Sequence, residues 1–282
     1  MKKIKEYIKV KDSFLSNENF TLFLNEFDEV LNTSPKPSEK KLSEYYNSSQ
    51  YLSHKNSGST LFAKIYFISR KWMVFSKTQL ISKLCPLPGK IVDVGSGTGD
   101  FLIAQNKKGW NVVGIEPSAT ARKIAENANI LHLSSLKKLK DITQDAITFW
   151  HSLEHVYDLE ETLNQAKRVL KIKGYLIVAC PNYMSWDAKY YKKNWAAWDV
   201  PRHLRHFSPN SLNLILQKKG FVQVEKKPLL LDAFYVSILS EKIKKNKLGF
   251  LKGILIGLIS NVVALFSKNY SSQVYVFQKK CN

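Results

Sequence analysis

The sequence predicts a doubly wound α/β fold, in which a mainly parallel seven-stranded sheet has helices on both faces. Short apolar runs alternate with helical patterns from residue 89 onward, which is typical of parallel strands joined by helices. The first run leads directly into three glycines at alternate positions, and an acidic residue ends the second run. The 282 residues are ample for one such domain with accessory segments.

The individual elements follow from the spacing of apolar residues. Residues 1–40 are mixed and polar, whereas segment 60–84 carries apolar residues at helical intervals before Pro86 and Pro88 end it. Strands are predicted over 91–94, 111–115, 130–133, 146–150, 174–180, 221–225 and 273–277. Further helices are predicted over 101–107, 118–127, 159–170 and 212–218.

These elements divide the chain into two parts. Residues 1–88 form a partly helical N-terminal extension, which we expect to cap the functional site. Residues 89–282 form the main domain, with a lid insertion over 183–208 and an apolar helical insertion over 229–270. A loop as long as the lid insertion usually carries function.

Net charge and cysteine content limit the binding partners and the cellular compartment that we expect for this protein. The net charge of +20 would attract phosphates or an anionic membrane, although lysines spread along the chain are equally typical of a lysine-rich proteome. Cys85, Cys180 and Cys281 are far apart, which disfavours a disulfide framework or a cysteine metal site. The N-terminus is charged and lacks the apolar stretch of a signal peptide, so a cytoplasmic protein is expected.

The segment 91–100, IVDVGSGTGD, predicts a site for a nucleotide-like ligand. Glycine permits tight turns and close approach of the backbone to a ligand, and the N-terminus of the following helix offers free N–H groups. Glu116 lies 21 residues after Gly95, where a carboxylate can accept hydrogen bonds from both hydroxyls of a ribose. We therefore expect an adenosine-type pocket at the carboxyl ends of the strands.

The glycine spacing distinguishes among adenosine ligands. A dinucleotide fingerprint reads G-x-G-x-x-G/A, whereas this loop reads G-x-G-x-G and has Asp100 at the sixth position. A carboxylate there would repel a pyrophosphate. S-adenosylmethionine has no phosphate and carries an ammonium group, so it is favoured over a nicotinamide or flavin cofactor and over glycines that serve only as a structural turn.

At these residues the chain resembles the class I S-adenosylmethionine-dependent methyltransferases. IVDVGSGTGDFL (91–102) resembles their first motif, NVVGIEPS (111–118) the second, ITFWHSLEHV (147–156) the fourth-strand motif and GYLIVACPN (174–182) the fifth strand. The resemblance covers about half of the chain, roughly 89–228. It implies a Rossmann-like fold with S-adenosylmethionine as the cofactor and S-adenosylhomocysteine as its product.

The resemblance also implies the cofactor contacts by position. The first-motif residues would surround the methionine part, Glu116 would hold the ribose, and residues of the third and fourth strands would enclose the adenine and close the site. The implied cofactor-binding residues are Asp93, Gly95, Gly97, Gly99, Glu116, Pro117, Ser135, Leu136 and Trp150.

The candidates for catalysis are His151, Glu154 and His155, which follow the fourth strand. Methyl transfer from a sulfonium mainly needs alignment of donor and acceptor, but a hydroxyl acceptor can also need a base, and histidine has a suitable pKa. The segment WHSLEH resembles that of small-molecule and ubiquinone-pathway O-methyltransferases, where an earlier glutamate and its partners are linked to a divalent metal. Here that position is His151, so no metal is predicted. Alternatively, Glu154 and His155 only cap the next helix or bond the loop backbone.

The lid insertion supplies the candidates for acceptor binding. Its aromatic and basic residues would suit a flat, partly apolar acceptor, with segment 45–54 as another wall of the pocket. Equally, they could form an aromatic subcore that holds the insertion in place. The candidates are Trp195, Trp198, His203 and His206.

The segment 250–266 is almost entirely apolar and follows a lysine-rich stretch at 242–247. With 17 residues and an internal Lys252, it is marginal for a membrane-spanning helix. We expect 242–267 either to make a peripheral contact with an anionic membrane, or to pack on the domain or across a homodimer interface.

Three functions are compatible with the sequence. The preferred one is methyl transfer, most simply O-methylation, to a small aromatic or partly apolar acceptor. A nucleic-acid methyltransferase would explain the charge, but the fourth strand lacks an Asn/Asp-Pro-Pro-aromatic motif and Cys180-Pro181 has the wrong order for a Pro-Cys nucleophile, so nucleic acid is disfavoured. A non-catalytic S-adenosylmethionine-binding protein would bind the cofactor without turnover.

Overall fold

The computed structural model describes residues 4–45, 61–116, 122 and 130–280. The chain begins with three strands that the sequence analysis did not predict, β1 (Ile4–Lys11), β2 (Asn19–Asn25) and β3 (Val30–Ser34). Two helices follow, α1 (Glu39–Glu44) and α2 (Leu61–Leu84), and the second matches the predicted helix over 60–84. The N-terminal extension is therefore partly helical, but it also contains an antiparallel sheet.

The part of the chain that alternates between strands and helices agrees closely with the predicted elements. It consists of β4 (Lys90–Val94), α3 (Asp100–Asn106), β5 (Asn111–Ile115), β6 (Leu131–Leu133), β7 (Gln144–Trp150), α4 (Leu159–Val169) and β8 (Leu170–Pro181). The predicted helix over 118–127 lies outside the described residues except for Arg122, which is helical.

The C-terminal part contains two helices between the last two strands. Its elements are α5 (Trp186–Tyr191), β9 (Arg205–His206), α6 (Pro209–Lys218), β10 (Phe221–Pro228), α7 (Leu230–Ile243), α8 (Gly249–Ser267) and β11 (Ser272–Lys279). The apolar segment over 250–266 is therefore one helix, as expected, and α7 precedes it as the other arm of a helical hairpin.

The main sheet has seven strands in the order β10-β11-β8-β7-β4-β5-β6. The central strands are parallel, and only β11 runs antiparallel to its neighbours. The strand order reverses at β4, because the chain extends from β4 to β5 and β6 on one side and then returns to β7 on the other. In open α/β sheets, ligands bind at the carboxyl ends of the strands beside such a reversal. The glycine loop after β4 and the residues after β7 both lie there, which confirms the predicted fold class.

The lid insertion connects the main sheet to the N-terminal sheet. Its strand β9 pairs with β3, so that His206 lies opposite Leu31, and Phe207 forms a bridge to Asn182 at the end of β8. Between the two sheets lies an aromatic core cluster that includes Phe20, Tyr45, Tyr183, Trp195 and Trp198. The insertion is thus a packed layer rather than an open flap.

Candidate functional site

The glycine loop after β4 depends on backbone conformations that glycine favours. Gly95, Gly97 and Gly99 have φ angles of 76°, 54° and 80°. A Cβ atom on Gly95 would lie 2.5 Å from Cβ of Ser152, which follows β7. A side chain there would therefore separate the loop from the residues after β7.

Glu116 lies beside this loop, directly after β5. Its carboxylate Oε2 accepts a hydrogen bond from the backbone N–H of Gly97 at 2.9 Å, and its backbone carbonyl accepts one from Arg122 at 2.6 Å. The side chain is almost buried, at 9% exposure. The structure thus brings the predicted ribose-binding carboxylate to the glycine loop, at the carboxyl ends of two adjacent strands.

Asp93 occupies the buried end of β4 and accepts a hydrogen bond from the Thr148 hydroxyl at 2.7 Å. Burial raises the pKa of Asp93 to about 7, and the charge of Glu116 acts in the same direction, against Thr148 and Lys77. An ammonium group nearby would favour the ionised form of Asp93. This carboxylate is therefore suited to the amino-acid end of S-adenosylmethionine.

Two of the other predicted cofactor contacts follow β6, and a third ends β7. Ser135 caps a short 3₁₀ turn that begins at Leu136, whose side chain is buried. Trp150 ends β7, nearly buried, with its ring edge-on to Phe101 at 5.6 Å between centroids. Pro117 lies outside the described residues. His132, which the sequence analysis did not select, links β6 to the loop through a 3.2 Å contact between Nε2 and the Ser96 hydroxyl.

His151 follows β7 in a left-handed backbone conformation, with φ of 53°. Its Nε2 lies 3.0 Å from Oδ2 of Asp232, and its Nδ1 lies 3.6 Å from Oε1 of Glu154. Burial opposes protonation of the imidazole, but the two carboxylates, Asp232 first, outweigh it and raise the pKa of His151 to about 10. The side chain remains 36% exposed, so it is accessible from the crevice.

Asp232 is a site residue that sequence reasoning missed. It lies in the first turn of α7, 81 residues after His151 along the chain. The only signal was that Asp232 is the single charged residue in segment 229–240, which is otherwise apolar apart from one tyrosine and two serines. The helical insertion therefore contributes directly to the candidate active site.

Glu154 is fully buried, and its two carboxylate oxygens have no hydrogen-bond partner among the described residues. Burial opposes its ionisation, but the nearby imidazoles, His151 first, outweigh this and lower the pKa of Glu154 to about 2. The backbone carbonyl of Glu154 accepts a hydrogen bond from Leu204 of the lid insertion at 2.9 Å. A buried carboxylate without donors is costly unless a cation or a ligand group satisfies it.

Two histidines supply further ligand atoms beside Glu154. The Nδ1 atoms of His155 and His203 contact the backbone carbonyls of Arg202 and Ala197 at 3.0 and 2.9 Å, an arrangement that assigns the lone pair to Nε2. One candidate ligand atom from each of Glu154, His155 and His203 lies within 4.8 Å of the others. These residues fit a divalent cation, although no metal was predicted from the sequence. The third ligand would come from the lid insertion rather than from position 151.

The predicted acceptor-binding residues of the lid insertion are all buried. Trp195 and Trp198 are 1% and 2% exposed, and their indole N–H groups donate to Asp187 and to the Lys192 carbonyl, each at 2.7 Å. Trp195, His203 and His206 line a narrow cleft with Glu154. Trp198 does not line this cleft, although it packs with Trp195 in the aromatic core cluster.

Burial also sets the charge of the lid histidines. It lowers the pKa of His203 to about 4, with His155 acting in the same direction, and holds that of His206 well below its usual range. Both imidazoles are therefore neutral at neutral pH. His206 Nε2 also contacts the Thr33 hydroxyl on β3 at 3.1 Å.

A buried ion network fixes the lid insertion to the N-terminal sheet. The Arg202 guanidinium, 1% exposed, contacts the carboxylates of Asp12 and Asp199 at 2.9 and 2.7 Å. Because Arg202 immediately precedes His203, this network also fixes the position of a residue that lines the cleft. Sequence reasoning did not select Asp12 or Arg202.

Comparisons with known proteins agree with this geometry. Residues 66–226 match the family model described as a methyltransferase domain. The ubiquinone biosynthesis O-methyltransferase of Actinobacillus pleuropneumoniae is 34% identical over 107 residues, which make up 33% of this chain and 46% of that protein. The chain thus spans about half the length of that relative.

Solved structures share the fold at low sequence identity. A S-adenosylmethionine-dependent methyltransferase from Archaeoglobus fulgidus aligns with a TM-score of 0.52 at 20% identity, over 76% of this chain and 99% of its own. Phosphoethanolamine N-methyltransferase 2 of Haemonchus contortus, in complex with S-adenosylmethionine, aligns with a TM-score of 0.53 at 14% identity, over 99% of this chain and 69% of its own.

The family match covers more than half of the chain, and the fold places a glycine loop and an acidic residue at the switch point of the sheet. The chain therefore belongs to the methyltransferase domain family.

Proposed function

We propose that the protein transfers the methyl group of S-adenosylmethionine to a hydroxyl of a small aromatic or partly apolar acceptor. The observation that carries this proposal is the contact of His151 with Asp232 at 3.0 Å, in the crevice that also holds the glycine loop and Glu116. A carboxylate that holds one imidazole nitrogen orients the ring and stabilises the imidazolium that forms when the other nitrogen takes a proton. The partial likeness to an O-methyltransferase also supports oxygen as the methylated atom.

In the proposed step, the acceptor oxygen attacks the methyl carbon of the sulfonium. The new C–O bond forms as the C–S bond breaks, and its electron pair returns to sulfur, which gives S-adenosylhomocysteine. The acceptor proton passes to Nδ1 of the neutral His151 imidazole, since Asp232 holds Nε2 at 3.0 Å whereas Glu154 lies 3.6 Å from Nδ1, beyond hydrogen-bond distance. Asp93, the glycine loop and Glu116 would hold the cofactor so that donor and acceptor are aligned.

A divalent cation, if bound by Glu154, His155 and His203, would act as a Lewis acid that lowers the pKa of an acceptor hydroxyl. Without it, Glu154 serves as the second carboxylate beside the His151 imidazolium. In both cases Trp195 and His206 would form part of the wall that faces the acceptor.

We also propose that the protein works in the cytoplasm on a small molecule rather than on nucleic acid. Its apolar segment 242–267 would serve as a contact surface, either for a membrane or for a second copy of the chain. Binding to RNA or DNA with a steep dependence on salt concentration would contradict the small-molecule assignment.

Calorimetric titration tests the cofactor site first. We expect S-adenosylmethionine and S-adenosylhomocysteine to bind with micromolar affinity and NAD not to bind. Glu116→Ala should abolish the binding of both ligands, because the ribose loses its carboxylate partner. Glu160→Ala, an exposed acid on α4, is the matched control and should bind like the wild type.

A turnover assay tests the catalytic assignment. With phenolic acceptors and a labelled methyl group, His151→Ala should lower kcat by about 10²- to 10⁴-fold, the usual contribution of a general base, and leave cofactor affinity unchanged. Methyl transfer to nitrogen or carbon acceptors only would contradict the assignment of oxygen. Cofactor binding with no turnover on any acceptor would support a non-catalytic role.

A further inference from the structure

The helical hairpin of α7 and α8 uses its small residues for contact within the chain. A Cβ atom on Gly253 would lie 2.6 Å from Cα of Ile238, and one on Gly257 would lie 2.7 Å from Cα of Phe234. The two helix backbones are therefore in close contact, and a stripe of small residues on α8, formed by Gly253, Gly257, Ser260 and Ala264, is buried. This stripe is not available for a contact with a second copy.

The opposite face of α8 is apolar and exposed. Its leucines, Leu251, Leu255, Leu258 and Leu265, are 51–66% exposed, and Phe266 is 84% exposed. Leu248, in the turn before the helix, is 69% exposed. So many large apolar side chains on one continuous surface are unusual for a surface that only water contacts.

The same surface is strongly basic at its ends. Segment 242–272 contains six lysines and no aspartate or glutamate. Lys242, Lys244, Lys245 and Lys247 lie at the turn of the hairpin, and Lys268 lies at the other end of α8. Glu241, which immediately precedes this segment, is fully buried and lies 3.8 Å from Lys244 and from Lys252.

The topology does not allow α8 to cross a membrane alone. Among the described helices, α8 is the one that is long and apolar enough to span a membrane, at 19 residues or about 28 Å. However, β10 ends and β11 begins side by side, since Pro228 pairs with Gln273 in the sheet. Both ends of the hairpin therefore return to the same place, and α7 begins at the candidate active site with Asp232. The apolar face can only lie along a surface.

We propose that the exposed face of α8, together with its lysines, docks onto an anionic lipid bilayer. An apolar face flanked by lysines is the arrangement of helices that lie in the membrane interface. A second copy of the chain is a poorer occupant, because pairing the two faces would bring two lysine clusters together in a molecule of net charge +20. Docking of this face leaves α7, which packs on the other face of α8, one helix away from the lipid. The relation of this orientation to catalysis rests on the proposed function, but the docking itself does not.

Vesicle flotation with the full chain tests the docking. We expect binding to vesicles of phosphatidylcholine with about one third phosphatidylglycerol, weaker binding at high salt, and little binding to phosphatidylcholine alone. Leu255→Glu/Leu258→Glu should abolish the binding. The matched control, Leu87→Glu/Ile172→Glu, replaces exposed apolar residues elsewhere and should bind like the wild type.

A second pair of variants tests the lysines. Lys242→Gln/Lys247→Gln should weaken binding to the anionic vesicles about 25-fold, since each lysine near such a surface contributes about fivefold. Lys5→Gln/Lys107→Gln carries the same change of charge and should have little effect. Thermal melting of each variant checks that it is folded.

Three outcomes would overturn the proposal. The first is the absence of flotation with anionic vesicles, and the second is flotation of Leu255→Glu/Leu258→Glu at the wild-type level. The third is a dimer in light scattering that this variant dissociates, without vesicle binding by the wild type, which would assign the face to a second copy.

Discussion

His151 combines an unusual backbone conformation with two carboxylate neighbours. The left-handed φ of 53° turns the residue out of the line of β7, and Asp232 and Glu154 lie on either side of its ring. Backbone strain of this kind commonly occurs where a side chain must be aimed at a site. The carboxylates make the imidazole a strong base, which is protonated at neutral pH in the absence of substrates.

This arrangement predicts the pH dependence of the reaction. Only the neutral imidazole can accept the acceptor proton, so kcat/KM should rise with pH through the alkaline range, towards the pKa of about 10. Asp232→Asn removes the carboxylate that raises the pKa of His151 most. The rise of kcat/KM should therefore occur at lower pH in this variant, while cofactor affinity stays the same. A pH profile with an unchanged limb in Asp232→Asn would show that Asp232 does not act through His151.

Asp93 predicts a second pH effect, on cofactor binding. Its pKa of about 7 means that the carboxylate gains a proton as the pH falls below neutrality. Since only the ionised form attracts the ammonium of S-adenosylmethionine, the affinity should weaken progressively from pH 8 to pH 6. Titrations across this range, with Asp93→Asn as a variant that lacks the pH dependence, measure the effect.

Contacts between residues that are far apart in the sequence could not be predicted. His151 and Asp232 are separated by 81 residues, and Asp12 and Arg202 by 190. The glycine loop and Glu116, by contrast, lie within one β-α-β unit, whose spacing fixes their relative positions. The cofactor side of the site was therefore accessible to sequence reasoning, whereas the partners on the acceptor side were not.

At the level of elements, burial decided which strands could be predicted. β4, β7 and β8 are buried on both faces, so they appear as continuous apolar runs. β1 contains three lysines and a glutamate, all exposed, and only Val10 is buried. Its pattern is that of a solvent-facing strand. It forms because it pairs with β2 and because Ile8 and Val10 pack in the core cluster with residues of the lid insertion.

The close packing of α7 on α8 predicts that replacement of one glycine lowers the stability of the protein. Gly257→Val would place its side chain within 3 Å of the backbone of Phe234 and force α7 and α8 apart. We expect a loss of about 1–3 kcal/mol in the free energy of unfolding, which is typical of overpacking. Leu258→Val, on the exposed face, is the control and should change stability by less than about 0.5 kcal/mol in denaturant titration. Equal stability of both variants would contradict the close helix contact.

At the level of the whole molecule, Arg202 holds two layers together. It joins Asp12 of the N-terminal segment to Asp199 of the lid insertion in a buried network. Arg202→Met should lower the free energy of unfolding by about 3–5 kcal/mol, because Asp12 would remain buried and charged. Lys83→Met removes an exposed ion pair with Glu225 and should cost about 1 kcal/mol or less. A loss below 1 kcal/mol for Arg202→Met would show that the backbone N–H groups of residues 14–16 and the Ser16 hydroxyl, which also donate to Asp12, satisfy its carboxylate without the arginine.

The pairing of β3 with β9 has a consequence for the synthesis of the chain. Leu31 pairs with His206, so the N-terminal strands leave the ribosome about 175 residues before their last partner. At ordinary rates of about 5–20 residues per second, this delay is about 10–35 s. During that time the inner sides of Phe20 and Leu22 have no lid insertion to cover them, and the nascent chain exposes an incomplete sheet. We expect a chaperone that binds apolar strands to contact the N-terminal strands β1–β3 for the longest time, while the ribosome is still synthesising the main sheet.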